Sequence, residues 1–227
     1  MILVVASMEL ELEGLFGLDR SPGYWEACEL KYTGIGRRQV DKTFDSFEFD
    51  PALDGLVSVG FVGSVDPDFE PGELCLIESI ESEGKEVRLQ PDEALWKRAQ
   101  KSLTGVYQTC ELLTVDRTLR SIEEKRSLGA NQFSIIDRET YWVAKIAEEE
   151  ALPFLSLRVV FDGIDQELPP EFCYDGDTGK VKPGRFTSWL VRNPSRFREI
   201  PWLGWNSVKA RRRLGQALND VVPALLG

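Results

Sequence analysis

The amino-acid sequence predicts an α/β fold in a single domain. Short apolar segments alternate with segments of helical periodicity along most of the chain, and glycines or prolines separate them. The length of 227 residues allows one sizeable core and is short for two. The content of 42% hydrophobic and 29% charged residues is typical of a soluble globular protein.

The first predicted strand is the apolar run at residues 2–6, and a helix is predicted at residues 9–16. The apolar face of this helix consists of Leu12, Leu15 and Phe16. A second strand leads into residues 33–36 (TGIG), whose glycines predict a turn. A helix is therefore expected to start at about Arg37.

The middle of the chain continues this alternation. An apolar strand covers residues 53–67 (LDGLVSVGFVGSVDP), and breaks in it are predicted at Gly60 and Gly63. Four further elements, in the order strand, helix, strand and helix, are predicted at residues 71–81, 92–103, 106–115 and 121–128.

The last third contains a strand, a helix and a strand, predicted at residues 133–137, 138–151 and 154–160. Pro153 ends the helix of this group. A polar stretch at residues 162–184 forms a long excursion from the alternating pattern. The chain then closes with helical segments that Pro194 and Pro201 are expected to split.

Two carboxylates follow apolar runs, with Glu11 after the first run and Asp162 after residues 152–161; the sequence IIDRET (135–140) lies between them. In α/β folds the loops after the strand ends build the binding site, so such residues can converge on one pocket. Taken singly, each has an ordinary explanation, because carboxylates are favoured in the first turn of a helix and in turns. Their combination with the glycine-bearing segments favours an enzyme.

Composition excludes several classes of function. The sequence lacks histidine, so Ser-His and Cys-His nucleophile pairs are excluded and acid–base chemistry falls to carboxylates. The four cysteines are widely spaced, which suggests neither a metal site nor a disulfide framework and fits a cytoplasmic protein. No apolar run approaches the ~20 residues of a membrane-spanning helix, and the N-terminus is unlike a signal peptide. The net charge of −11 disfavours nucleic acid as a partner.

Five ordered motifs carry a resemblance to a known family: ASMELELEGL, TGIG, VGFVGSVDPDFEPGEL, IIDRETYWVA and LPFLSLRVVFD. Over residues 1–165 this order resembles the nucleoside phosphorylase superfamily, and within it the methylthioadenosine/S-adenosylhomocysteine nucleosidases. The remainder of the chain, including residues 112–129, 165–172 and the tail, resembles the hopanoid-associated subgroup, which acts on adenosylated hopane lipids. The resemblance implies a three-layer α/β/α fold with a central mixed twisted sheet, a homodimer, and no metal or organic cofactor.

The resemblance also implies roles for individual residues. The glutamate that activates water corresponds to Glu11, with Arg158 near the nucleophile. The glutamate that binds the ribose hydroxyls corresponds to Glu139, and the aspartate that protonates the departing purine corresponds to Asp162. Burial is expected to raise the pKa of the acid while the base stays ionised beside Arg158. Gly60 lets the backbone approach the sugar closely.

Departures from the family pattern bear on the nucleophile. The superfamily's phosphorylases hold phosphate with an arginine and a Ser/Thr, and the corresponding positions of this chain are Ser58 and Phe61. The phosphate-binding loop near the N-terminus of those phosphorylases is also missing from this chain. Water is therefore the expected nucleophile, and a phosphorylase is the alternative. Arg37 and Arg38 offer a substitute anion site, although such a pair is also typical of a solvated helix face.

Other departures bear on the pocket itself. The nucleosidases have Ser where this chain has Phe61 and Phe161, and Met where it has Arg138. The two phenylalanines either reshape the pocket for a different substrate or disable it. The interpretations that remain are an N-ribosyl hydrolase for a 5′-modified adenine nucleoside, a phosphorylase, and a catalytically silent nucleoside-binding protein.

The C-terminal segment at residues 180–213 is basic in an acidic chain. It holds ten of the 27 basic residues and one of the 38 acidic ones, which leaves 17 basic and 37 acidic residues elsewhere. Within residues 185–205, aromatic side chains are interleaved with arginines, as in segments that lie on an anionic bilayer. The alternative is that the rings pack on the core or a partner subunit and the arginines pair with the acidic body.

Overall fold

The computed structural model describes residues 1–15, 24–129 and 133–227. Its strands are β1 (Ile2–Ala6), β2 (Cys28–Tyr32), β3 (Gly55–Ser64), β4 (Leu74–Ser82), β5 (Gln108–Thr114), β6 (Ile135–Asp137) and β7 (Phe154–Asp162). Its α-helices are α1 (Glu9–Leu12), α2 (Arg37–Phe44), α3 (Glu93–Ser102), α4 (Ile122–Gly129), α5 (Thr140–Glu149), α6 (Pro183–Arg192) and α7 (Ile200–Leu226). Short 3₁₀ helices lie at Glu13–Leu15, Trp25–Ala27, Glu171–Cys173 and Pro194–Glu199.

The strands form one mixed sheet in the order β2-β1-β3-β6-β5-β4-β7, and β3 also pairs with β7. Strands β1, β2, β3 and β7 are parallel to one another where they pair, so their carboxyl ends lie at the same edge. β4 is antiparallel to β7, and β6 is antiparallel to β3. Because β3 contacts three strands, part of the sheet closes on itself through β6, β5, β4 and β7.

Helices cover both faces of the sheet, as the alternation along β1 illustrates. Ile2 and Val4 belong to a core cluster with side chains of α3 and α7, whereas Leu3 and Val5 belong to a second cluster with side chains of α2 and α5. A strand that is buried on both faces is apolar at every position, which explains its continuous run of apolar residues. The predicted α/β/α layers and mixed sheet are confirmed.

Some predicted boundaries were wrong. β3 runs without a break through Gly60 and Gly63, because pairing with β7 at both glycines, and with β6 at Gly63, keeps the strand extended. The helix predicted at residues 9–16 is shorter: α1 ends at Leu12, and Phe16 lies outside the described residues. Pro201 does not split the last helix but stands in its first turn, where the missing N–H costs no hydrogen bond.

Among the described residues, no helix has both the length and the apolar character needed to cross a membrane.

Candidate active site

A cavity of about 440 Å³ opens at the carboxyl ends of β1, β3, β6 and β7. Four acidic side chains from these strand ends line it, namely Glu11, Asp137, Glu139 and Asp162. The structure thus brings together residues that lie up to 151 positions apart in the chain. Much of the remaining wall is apolar, which is typical of a pocket for a small organic ligand.

Glu11 is buried and held by two backbone groups that follow β1 and by one within β3. Its Oε2 accepts hydrogen bonds from the N–H groups of Ser7 (2.9 Å) and Met8 (2.8 Å), and its Oε1 accepts one from Phe61 (2.8 Å). Burial raises the pKa of Glu11 above its ordinary value of 4.5, while the N–H donors and Arg158 oppose that rise. The carboxylate is therefore fixed in orientation and made more basic than a solvated one.

Arg158 lies under the site and is almost fully buried. Its Nη2 donates to Ser58 Oγ (2.6 Å) and Thr140 Oγ1 (2.5 Å), and lies 3.6 Å from Asp137 Oδ2. Gly60 makes room for the arrangement, since a Cβ there would lie 2.5 Å from Arg158 Nη1 and 2.6 Å from Glu11 Oε1. Arg158 and Glu11 thus lie on either side of Gly60, and Ser58 serves as a partner of the guanidinium.

Glu139 stands at the start of α5 and contacts the TGIG turn. Its Oε1 accepts a hydrogen bond of 2.5 Å from the N–H of Gly36, which has a φ of +83° and begins α2. Burial and the nearby charge of Asp137 raise the pKa of Glu139 to about 8. Protonation of this carboxyl group is therefore favoured more strongly than for a solvated glutamate.

Arg138 also lines the cavity, next to the same turn. A Cβ at Gly36 would lie 3.0 Å from its Nη2, so the guanidinium rests against the glycine. Nη2 donates to the carbonyl of Asp116 (3.2 Å). Arg138 thereby joins the turn before α2 to the segment after β5.

Asp162 ends β7, and a bulge sets its direction. Val62 pairs with Val160 while Gly63 pairs with Asp162, so Phe161 is the extra residue of the bulge. A Cβ at Gly63 would lie 3.3 Å from Asp162 Oδ2, so the carboxyl group lies close to β3. Burial raises the pKa of Asp162, and the charge of Lys125 opposes this rise.

Comparison with solved structures identifies the fold. Futalosine hydrolase from Helicobacter pylori matches with a TM-score of 0.70 at 15% identity, over 98% of this chain and 97% of that one. The 5′-methylthioadenosine/S-adenosylhomocysteine nucleosidase of S. pneumoniae matches with a TM-score of 0.70 at 14% identity, over 99% of both chains. The H. pylori nucleosidase of the same name has a TM-score of 0.69 at 15% identity, over 98% and 97%.

This chain has the nucleosidase fold. No protein-family model matches the sequence, and no curated protein is similar to it in sequence. The resemblance to the nucleoside phosphorylase superfamily is thus confirmed at the level of the fold. The likeness to the hopanoid-associated subgroup stays a prediction.

Phe61 and Phe161 depart from the serines that the nucleosidase motifs predict, and both line the cavity. Their rings stack with centroids 5.7 Å apart and planes inclined by 14°. The pair forms one wall of the cavity without filling it. The backbone N–H of Phe61 still points at Glu11, so the substitution changes the wall and leaves that hydrogen bond in place.

The C-terminal part of the chain supplies another part of the cavity wall. Residues from the long excursion and from α6 and α7 line the cavity, including Tyr174, Val181, Phe186 and Leu203. Arg120 lies beside this wall, with its guanidinium 5.9 Å from the ring centroid of Tyr174. The segment after β7 therefore builds part of the site.

Eight of the ten basic residues at 180–213 fall into two groups of four, and the other two, Lys209 and Arg213, donate to backbone carbonyls. Lys180, Lys182, Arg196 and Arg211 form ion pairs with acidic residues, as the alternative interpretation expects. Arg185, Arg192, Arg198 and Arg212 are exposed and have no ion pair among the described residues. Trp205 and Phe197 are also exposed, by 71% and 50%.

Arg37 and Arg38 do not contribute to the cavity. Both are exposed, Arg37 lies 4.1 Å from the ring centroid of Trp142 and pairs with Asp41, and neither lines the pocket. The substitute anion site suggested by their position was therefore wrong. The solvated-face interpretation agrees with the structure.

Several residues of the site escape the sequence motifs. Asp137 and Thr140 lie within IIDRET, but the motif assigns them no role. The hydrogen bonds from Thr140 to Asp137, the one from Arg158 to Thr140 and the ion pair of Arg158 with Asp137 become visible only once β6 and β7 are in place. Lys125 is the clearest case, because its helix gives no hint that its ammonium reaches Asp162. No cluster of three or more Cys, Asp or Glu side chains suited to a metal ion occurs in residues 1–15, 24–129 and 133–227.

Proposed function

We propose that this protein is a purine nucleosidase, which hydrolyses the N-glycosidic bond of a 5′-modified adenine nucleoside and releases adenine. The observation that carries the proposal is the convergence of Glu11, Glu139 and Asp162 from three strand ends on one cavity. Glycosidic cleavage needs a group that activates water and an acid for the leaving group. In our proposal Glu11 activates water, Glu139 binds the ribose diol and Asp162 protonates the departing base.

The surroundings of Glu11 suit an attack by water on a cationic sugar. Burial raises the pKa of Glu11, so it is a better base than a solvated carboxylate. In its ionised form Glu11 places a fixed negative charge on the lining of the cavity. Preorganised negative charge stabilises an oxocarbenium-like transition state.

A protonated Glu139 can still bind a diol. The carboxyl group then donates a hydrogen bond to one hydroxyl and accepts one from the other. Its N–H partner at Gly36 fixes one oxygen, which leaves the other to face the cavity. Arg138, resting against Gly36, supports the turn that provides this N–H.

The proposed substrate class rests on the names of the similar solved structures and on the apolar residues of the cavity wall. The structural relatives are called 5′-methylthioadenosine/S-adenosylhomocysteine nucleosidases and futalosine hydrolase, and the first two of these substrates are 5′-substituted adenine nucleosides. Met8, Ile35, Phe186 and Leu203 add apolar surface to the same cavity. We propose that this surface receives an apolar 5′ substituent.

Phosphorolysis is the alternative that the superfamily offers, and it fits the site less well. Arg158 is the cation nearest Glu11, and its Nη2 is already engaged with Ser58, Thr140 and Asp137. A phosphate at the nucleophile position would meet the Glu11 carboxylate, and this like-charge contact is unfavourable.

A silent binding protein is the second alternative. The stacked pair of Phe61 and Phe161 would favour it if the rings filled the cavity, but the cavity keeps about 440 Å³ with all three carboxyl groups on its lining. Glu11 and Asp162 are also buried with raised pKa values, an environment that stability alone does not favour.

We further propose that the exposed face of residues 185–205 contacts an anionic bilayer. Four arginines without ion pairs among the described residues lie in or beside this segment, together with the exposed rings of Trp205 and Phe197. Positive charge complements anionic headgroups, and exposed rings settle at headgroup level. The homodimer and the cytoplasmic location expected from the sequence stay predictions.

The test is release of free adenine. The purified protein is incubated with methylthioadenosine, S-adenosylhomocysteine, 5′-deoxyadenosine and a longer-tailed 5′-alkyl adenosine, each with and without phosphate. Release without phosphate that is lost in Asp162→Asn supports the nucleosidase, and the preferred tail identifies the 5′ substituent. Release only with phosphate would establish the phosphorylase instead, and binding without release would establish the silent protein.

A further inference from the structure

Lys125 is a fully buried lysine in contact with the site, with an exposed fraction of 0%. Its Nζ donates to Asp162 Oδ2, to the carbonyl of Gly163 (2.8 Å) and to the carbonyl of Gln166 (2.8 Å). An ammonium has three donors and no acceptor. The three acceptors around Nζ therefore match a charged lysine in both number and type.

All three acceptors belong to Asp162 and the four residues that follow it. The same short segment is tied to α7, because Asn206 donates to Gln166 Oε1 (3.3 Å) and to the carbonyl of Phe161 (2.7 Å), the residue before Asp162. Lys125 thus connects α4 to the end of β7. A single buried side chain fixes both the direction and the charge environment of the Asp162 carboxyl.

The charged and titratable groups around this pair are few. Arg120, which precedes α4, is the second cation that acts on Asp162, and Tyr174 from the excursion is the nearby phenol. From α7 the facing group is Asn206, which is uncharged. Lys125 is the cation in direct contact, so it has the larger influence on the carboxyl.

We propose that Lys125 is a positioning residue that aims the Asp162 carboxyl at the leaving base and stabilises the carboxylate formed when Asp162 gives up its proton. The inference rests on the proposed function, since it assigns Lys125 to the acid of that reaction. The proton moves from Asp162 to the purine nitrogen as the C–N bond breaks and its electron pair stays with the base. Lys125 keeps all its protons, and the water consumed supplies the proton that later restores Asp162.

A purely structural lysine would make a different prediction. Such a lysine would stabilise the end of β7, and its loss would lower stability and activity for every substrate alike. A lysine that stabilises the carboxylate must instead change the acidity of Asp162. Its loss must also matter more for a leaving group that needs a proton than for one that does not.

The experiment compares four variants. Lys125→Met and Lys125→Gln remove the charge, Lys125→Arg keeps it, and Arg126→Met is the matched control, because Arg126 is an exposed neighbour that pairs with Asp165 of the same segment. The carboxyl ¹³C resonance of Asp162, assigned with Asp162→Asn, is titrated in each variant. Rates are measured for an adenine nucleoside and for the 5′-matched 4-nitrophenyl riboside, whose leaving group needs no proton.

Loss of the cation is expected to raise the pKa of Asp162 by about one to three units in Lys125→Met and Lys125→Gln. The alkaline limb of the pH profile of kcat for adenine release should shift to higher pH together with this pKa. The rate of adenine release should fall about tenfold or more, while the rate for the 4-nitrophenyl riboside changes little. Lys125→Arg and Arg126→Met should behave like the parent protein.

The titration decides the inference even without activity. An Asp162 titration that is unmoved in both uncharged variants overturns the role of Lys125, whether or not the parent protein releases adenine. If the parent releases no base while the titration moves as expected, the proposed function fails and the electrostatic role of Lys125 stands. Should Lys125→Met not fold, the pair Lys125→Gln and Lys125→Arg gives the same comparison.

Discussion

The backbone N–H of Phe61 donates a 2.8 Å hydrogen bond to Oε1 of Glu11, and so joins the middle of β3 to the helix that follows β1. The bond depends on the main chain and not on the ring, which explains how a phenylalanine can occupy this position without loss of the interaction. Two further N–H groups hold the other oxygen. The carboxylate is thus oriented by the fold itself.

Glu11→Gln should abolish most adenine release while the protein stays folded. The amide cannot act as a base, and its NH₂ group would face an N–H donor, so the rate is expected to fall about 10²- to 10⁴-fold. The measurement is kcat for adenine release beside a thermal unfolding curve. Glu9→Gln, on the same helix but exposed and paired with Lys180, is the control and should keep the parent rate. Equal rates for parent and Glu11→Gln would remove Glu11 from the mechanism.

Gly60→Ala tests the close approach of Glu11 and Arg158. The new methyl group would lie 2.5 Å from Arg158 Nη1 and 2.6 Å from Glu11 Oε1, so both groups must move. We expect at least a tenfold fall in kcat and a loss of stability of about 1–3 kcal/mol, the usual range for overpacking. Gly184→Ala, where a Cβ would meet nothing within 4 Å, should leave kcat and the unfolding midpoint unchanged. A fully active Gly60→Ala would contradict the described geometry.

The sequence predicted most elements of the fold because the strands are short apolar runs and the helices have clear start signals, as at Pro91 before α3. The continuity of β3 was missed because Gly60 and Gly63 suggest turns, whereas pairing with β7, and at Gly63 also with β6, keeps them extended. The ordered motifs predicted the three carboxyl groups of the site, Glu11, Glu139 and Asp162. They did not predict Lys125, because its contact with Asp162 depends on how α4 packs against the end of β7.

Vesicle flotation tests the proposed bilayer contact. The protein should float with vesicles that contain phosphatidylserine at low salt, and binding should weaken as salt rises, since each arginine near an anionic surface contributes about 1 kcal/mol that salt screens. Arg185→Gln combined with Arg192→Gln, and separately Trp205→Ser, should reduce flotation. Neutral vesicles and Val87→Ser, an exposed apolar residue outside the basic segment, are the controls. Failure of the parent protein to float at low salt would end this proposal.

The stability of the protein should depend on pH through Glu139. Its pKa is about 8 in the folded protein against an ordinary value of 4.5, so the folded state holds the proton more tightly than the unfolded chain does. The stabilising contribution is therefore complete below pH 4.5 and is lost as pH rises to about 8. The slope contributed by this one group approaches about 1.4 kcal/mol per pH unit within that window.

Glu139→Gln isolates the contribution of Glu139, because the amide does not titrate. The contributions of Glu11 and Asp162 to the pH dependence are unchanged in this variant. The variant should unfold with a flatter dependence of free energy on pH between 5 and about 8. Urea unfolding at four pH values in that window measures the difference between the two slopes. Glu148→Gln, an exposed glutamate on α5, controls for loss of one acidic side chain and should keep the parent slope. Parallel curves for the parent and Glu139→Gln would mean that Glu139 is ionised in the folded protein, and the diol would then meet a carboxylate with two acceptor oxygens.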